Sequence, residues 1–183
     1  MKGRMGKKQK AAERVNWTYQ KTVVNDLRSQ SEGTLLSFVF NKGIFQDFLG
    51  ATEPLQANTI GRTNGTFQFF IGDQSISVSN LQIEIDYLVY TVAFVSPVEA
   101  KTRTGRAKLP VDFNVHQAYN SYRYLKNQGV ENVRPLYCLS RQAATQRIFR
   151  LYEYRFDDDL RPASIGLVRA KEYVCDGGED DEP

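Results

Sequence analysis

The side chains that most often do chemistry near neutral pH are scarce in this chain, which has one histidine, His116, and two cysteines, Cys138 and Cys175. The cysteines stand alone, in neither CxxC nor zinc-site spacing, so the expectation is two reduced, partly buried thiols in an intracellular protein. His116 falls in the first turn of a predicted helix, where a surface role is expected rather than a base or a ligand. No phosphate loop, dinucleotide fingerprint, HExxH, GxSxG or metal-spaced Cys/His set occurs. Nucleophilic catalysis therefore has little to work with, and the sequence predicts neither an enzyme, a metal nor a cofactor. One cluster of carboxylates stands out inside the chain, Asp157-Asp158-Asp159. Three aspartates in a row read as a solvated hairpin tip, because calcium would need further oxygen ligands from elsewhere.

The basic residues offer a different chemistry, contact with phosphate. A net charge of +3 conceals a polarised chain. Lys2, Arg4, Lys7, Lys8 and Lys10 precede any acid, while Asp176, Glu179, Asp180, Asp181 and Glu182 close the sequence without a base. Both ends are poor in apolar groups, so neither can offset its ordering entropy by burial, and both read as tails. Beyond the first tail, Ala12, Val15, Tyr19, Val23 and Leu27 recur at helical spacing, and Arg14 lies mostly off that face. This segment reads either as a basic amphipathic arm or as a tail leading into an edge strand, since Thr22-Val23-Val24 weakens a helix. A second basic cluster, KTRTGRAK, places Lys101, Arg103, Arg106 and Lys108 around Gly105 in what reads as an exposed loop. It suits a phosphate or inter-subunit contact, or is an ordinary solvated loop. A third candidate is a predicted strand in which Arg150 shares a face with Tyr152 and Tyr154, a combination that could stack on bases or line a subunit interface.

The elements that must position these residues are mostly strands. Leu81, Ile83, Ile85 and Tyr87 alternate with Gln82, Glu84 and Asp86, a period of two that turns one face to a core. From Tyr87 to Val95 the apolar residues become continuous, so Ser75–Pro97 reads as one long strand, or two sharing a bend, ended by Pro97. Ile83, Ile85, Tyr87 and Val89 are expected in the core. Thr34–Phe40 and Thr66–Ile71 read as further strands, Ile44–Leu49 as a helical turn stopped by Gly50, and 51–65 as a loop ending in a turn at Asn64-Gly65. Asn114–Gln128 is the strongest helix, with Val115, Ala118, Tyr119, Tyr122 and Leu125 on one face, Asp112 or Asn114 to cap it and Gly129 to stop it. Val133–Ser140, Gln146–Phe156 and Ala163–Cys175 complete the predicted strands. No apolar run is long enough to span a membrane.

The expected architecture is mainly β: an antiparallel β-sandwich over 29–175, with one inserted helix, a basic arm over 1–28 and an acidic tail over 176–183. This layout resembles a small viral coat protein with a single jelly roll, of the satellite-virus or small circular single-stranded DNA virus type. The resemblance implies a virion protein that self-assembles and packages RNA or single-stranded DNA. Its partners would be nucleic acid and other copies of itself, with no membrane, and it would be found in the virion and inside the host cell during assembly. Two other readings stay open: a nucleic-acid-binding module using the Arg150, Tyr152 and Tyr154 face, and an enzyme on a β scaffold using Asp157–Asp159.

Overall fold

A computed structural model describes residues 12–18, 32–103, 113–143 and 146–176. The chain is mainly β and forms two sheets, as the alternating sequence indicates. The strands are β1 (Glu13–Trp17), β2 (Gln56–Asn58), β3 (Gly61–Ile71), β4 (Gln74–Ile85), β5 (Tyr87–Tyr90), β6 (Val95–Arg103), β7 (Leu136–Ala143), β8 (Gln146–Phe156) and β9 (Ile165–Asp176). Helices α1 (Glu32–Asn41), α2 (Ile44–Leu49) and α3 (Val115–Asn127) lie among them. The larger sheet runs β1-β9-β8-β7-β6-β5-β2, while β3 and β4 pair as a separate ribbon. Within the larger sheet β6·β7 and β1·β9 are parallel and the other pairs antiparallel. The connection between parallel β6 and β7 contains α3, because parallel neighbours need a long crossover.

Each face of the larger sheet has its own core. On one face α1 and α2 bring Leu35, Leu36, Phe38, Phe45 and Phe48 against Val98, Ala100, Cys138, Phe149, Leu151 and Tyr173. On the other, α3 contributes Tyr119, Tyr122 and Leu125 to a cluster with Phe67, Phe69, Ile83 and Ile85 of the ribbon and Leu88 of β5. Each large apolar side chain so buried stabilises the fold by about 1.5–3 kcal/mol relative to exposure. Ile83, Ile85, Tyr87 and Val89 are all buried, as their alternation predicts. Cys138 and Cys175 are both buried, and neither forms a disulfide.

Several local expectations are met. Asn114 caps α3 by accepting from the His116 N–H at 3.0 Å, and Gly129 follows the helix with φ 85°. Gly50 stops α2 with φ 61°. Gly72 and Asp73 form the two-residue turn of the β3–β4 ribbon.

Four expectations are corrected. Thr34–Phe40 is helix, not strand, because Leu35, Leu36, Phe38 and Val39 are the buried positions, a helical spacing that outweighs β propensity. Asn64-Gly65 is no turn. The β3 strand runs through it with a bulge before Phe67, and a Cβ at Gly65 would meet Ile83 Cδ1 at 2.7 Å, so the glycine admits close packing. Pro97 does not end a strand but sits within β6 opposite Leu88, just before the β6·β7 ladder opens at Val98↔Leu136. Lys101 and Arg103 accordingly belong to β6, not to a loop. Of the arm, Glu13–Trp17 is an edge strand paired parallel to β9, the second of its two readings.

Candidate active site

The long stretch read as a central strand is interrupted at a single residue. β4 ends at Ile85, β5 begins at Tyr87, and Asp86 between them marks where the chain leaves the ribbon for the larger sheet. The β5–β6 hairpin then fixes what Asp86 meets. Tyr87 pairs with Val98, so one step further along the register Asp86 falls beside Glu99. The Ala100 N–H donates to Asp86 Oδ2 at 3.1 Å, which anchors that carboxylate against the neighbouring strand.

Glu99 and Lys101 are two residues apart on β6 and so share a face, opposite to Val98 and Ala100, which enter the α1–α2 core. Lys101 Nζ lies 2.7 Å from Glu99 Oε1 and 3.8 Å from Glu32 Oε1, the first residue of α1. One ammonium thus stands among three carboxylates drawn from positions 32, 86 and 99. Glu99 is the least accessible of the charged groups, its side chain 12 % exposed against 41 % for Lys101 and 42 % for Glu32. Burial pushes the Glu99 carboxyl above its ordinary value. The hydrogen bond and charge of Lys101 pull it back, and the charges of Asp86 and Glu32 push the same way as burial. Burial alone would lower Lys101, but the Glu99 hydrogen bond and the surrounding negative charge hold it above its ordinary value and so protonated. A carboxyl displaced upward beside a locked ammonium is a pattern of functional sites.

Among the described residues, no three carboxylate, histidine or cysteine side chains converge as a ready-made metal cage. The chemistry of Mg²⁺ does not ask for one. That ion is held by one or two carboxylates, with waters and substrate phosphates completing its octahedron. Asp86 and Glu99 supply such a pair where the chain passes from the ribbon into the larger sheet.

The other sequence candidates fall as follows. Lys2, Arg4, Lys7, Lys8, Lys10, Arg106 and Lys108 lie outside the described residues. Arg14, on β1, is 3.4 Å from Glu172, a carboxylate also paired with Arg150. Arg103 lies opposite Arg141 in the β6·β7 ladder. Asp157, Asp158 and Asp159 form a turn, each in an ion pair, with Arg155, Arg161 and Lys126 respectively. Asp159 also accepts from the Tyr122 hydroxyl, and its backbone carbonyl from the Tyr119 hydroxyl at 2.9 Å, so this turn is tied to α3. His116 is exposed on α3.

Sequence reasoning therefore placed Lys101 among its candidates but missed Asp86, Glu99 and Glu32. The available signal was the alternation Val98-Glu99-Ala100-Lys101, which puts an acid and a base on one strand face. A stretch read as a loop hid it. No helix among the described residues is long and apolar enough to cross a membrane.

A mainly β protein with a carboxylate–lysine cluster at the junction of its two sheets is the class these observations define. A family model described as a domain of unknown function (DUF6997) matches residues 4–174, nearly the whole chain, and the protein belongs to that family. No curated protein and no solved structure matches the chain.

Proposed function

We propose that this protein is a divalent-cation-dependent phosphodiesterase that hydrolyses nucleic acid at the Asp86–Glu99–Lys101 cluster. The observation that carries this reading is the grouping of three carboxylates about a single protonated lysine, with Glu99 largely buried. One ammonium offsets only one of the three negative charges, and the remainder costs stability that a divalent cation would offset. A chain with a purely structural need at this point would do better with a single pair.

Asp86, fixed by the Ala100 N–H, and Glu99 would hold the cation in this reading. Bound there, a divalent cation would supply Lewis-acid polarisation and a more acidic water. Lys101, held by Glu99 and Glu32, places its ammonium where negative charge grows on the phosphorane-like transition state. Water oxygen bonds to phosphorus, one bridging P–O bond breaks, and the departing oxygen takes up a proton from solvent, leaving a phosphate monoester and a hydroxyl. Nucleic acid is favoured over a small diester by the sequence that follows the site. Lys101, Arg103, Arg106 and Lys108 continue directly from Glu99, and Lys2, Arg4, Lys7, Lys8 and Lys10 add a further basic segment.

The test is cleavage of single-stranded and duplex DNA and RNA by purified protein with Mg²⁺ or Mn²⁺, against the same reactions in chelator. Asp86→Asn, Glu99→Gln and Lys101→Ala should each abolish cleavage while the folded circular dichroism spectrum is kept. Absence of cation-dependent cleavage in the parent protein, or full activity in these variants, overturns the reading. The competing shell-protein reading gives no role to Asp86 and Glu99, and uses Lys101 only as a phosphate or inter-subunit contact. Sedimentation separates the two, since a shell runs as a large closed particle and an enzyme of this kind as a monomer or small oligomer.

A further inference from the structure

The β3–β4 ribbon is a sheet of its own, and β4 pairs with β3 alone. The turn at Gly72 and Asp73 makes Ile71 and Gln74 a hydrogen-bonded pair, so the residues that follow alternate. Gln74, Ile76 and Val78 direct their backbone N–H and C=O to β3, while Ser75 and Ser77 direct theirs away from it. Among the described residues, no other segment meets these outward groups.

Open strand edges in native proteins are normally blunted by charge, proline, a bulge or shortness. The two edges of the larger sheet follow that rule, since β1 bears Glu13 and Arg14 and β2 is three residues long. The β4 edge departs from it. Residues 74–83 include no charged residue and no proline, and the bulge comes only after Val78, where Asn80 takes φ 55°. Gln74, Ser75, Ser77, Ser79 and Asn80 are exposed, and Ile76 and Val78 are half-buried.

The sequence of this edge matches itself. QSISVSN reads the same by residue type from either end: amide, serine, β-branched, serine, β-branched, serine, amide. Antiparallel pairing with an identical strand about a twofold axis at Ser77 therefore sets Gln74 opposite Asn80, Ser75 opposite Ser79 and Ile76 opposite Val78. Like types meet throughout, and no like charges do. Ile76 and Val78 lie beside Phe69 and Phe67 in the ribbon and pack on the Tyr119 cluster. A β-branched pair on each side of the axis would cover the apolar surface they still expose.

We propose that the β4 edge is a dimer interface, at which a second copy of this chain pairs antiparallel over residues 74–80 and joins the two ribbons into one four-stranded sheet. An interface built on a single strand pair is small, so monomer and dimer exchange in the micromolar range. The dimer stands independently of the cleavage chemistry.

Sedimentation equilibrium of the full chain across micromolar concentrations should show a monomer–dimer equilibrium. Ser77→Lys sets two ammonium groups against each other at the axis and should weaken dimerisation about tenfold or more. Ser77 is exposed, so the variant keeps its fold. Ser77→Cys puts two thiols across the axis at a Cα separation of about 5.5 Å, within disulfide reach, and mild oxidation should yield a covalent dimer. Ser75→Cys, facing the partner's Ser79, should not cross-link. Cys138 and Cys175 do not compete, because both are buried. A monomer at every concentration overturns the proposal. A dimer or larger assembly that Ser77→Lys leaves intact does so too, by placing the interface on another surface. Equal cross-linking of Ser77→Cys and Ser75→Cys overturns the register about Ser77.

Discussion

Replacing Glu99 by glutamine tests the candidate site through stability, independently of any substrate. In the absence of cation two effects oppose each other. The variant gives up the 2.7 Å ion pair with Lys101, which is partly exposed and contributes about 0.2–1 kcal/mol. It also removes a largely buried negative charge held near Asp86 and Glu32. The net change at neutral pH should stay within about 1 kcal/mol of zero. The pH dependence has a definite sign. The folded-state pKa of Glu99 is raised above its ordinary 4.5, so the native protein keeps a proton that the unfolded chain gives up. Stability from this group is full below 4.5 and is lost as pH rises through the raised value. Glu99→Gln should lack that decline. With cation present the two proteins should diverge. At a hundredfold excess over its dissociation constant, a ligand bound only by the folded state adds about 2.7 kcal/mol. For a chain of this size that raises Tm by about 5–10 °C. Thermal unfolding with and without Mg²⁺, Mn²⁺ or Ca²⁺ should show this rise in the parent protein and little of it in Glu99→Gln or Asp86→Asn. An equal rise in parent and variants, or none in the parent at millimolar cation, refutes the two-carboxylate site.

The remaining predictions concern the fold and the arm. Ile85→Ala removes a side chain that is 1 % exposed between ribbon and α3 and should cost about 2–5 kcal/mol in denaturant unfolding. Gly65→Ala would press a methyl group to 2.7 Å from Ile83 Cδ1. Ile83 must shift rotamer in a packed cluster, so a loss of about 1–3 kcal/mol is expected, and an unchanged midpoint would show that β3 and β4 lie further apart. Glu153→Gln removes a buried carboxylate bound at 2.7 Å by both Arg134 and Arg169. Chemical denaturation should show a loss of about 3 kcal/mol, tempered by the exposure of Arg169. Deleting residues 1–10 removes five positive charges, Lys2, Arg4, Lys7, Lys8 and Lys10, and should weaken nucleic-acid binding. Its salt slope should flatten by about 0.7–0.9 for each phosphate that the shortened chain no longer neutralises. An unchanged slope would remove the arm from the binding surface.

Much of the fold was legible in the chain because strand and helix periodicities are local. Alternation from Leu81 to Tyr87 marked buried Ile83, Ile85 and Tyr87 correctly, and β8 was readable to its ends from QRIFRLYEYRF. The α3 helix announced its face, its Asn114 cap and its Gly129 stop. Local pattern failed where two periods compete in a short apolar run, as in TLLSFVF, whose helix is decided by what it packs against. It failed again at Pro97, whose missing donor is harmless only because of where the neighbouring ladder begins. The candidate site lies wholly beyond local pattern. Read alone, Asp86 is one more solvent-side residue of an alternating strand, Glu99 an acid before a basic run, and Glu32 a residue in a polar stretch. Pairing of β5 with β6 sets Asp86 beside Glu99, and docking of α1 on the sheet brings Glu32 to Lys101. Most strand, helix and core positions follow from the order of residues alone, since they depend on the spacing of apolar groups along a few turns of backbone. Which charges meet was left to the assembled fold, because that depends on register and crossover between segments tens of residues apart, where electrostatic contact leaves no periodic trace.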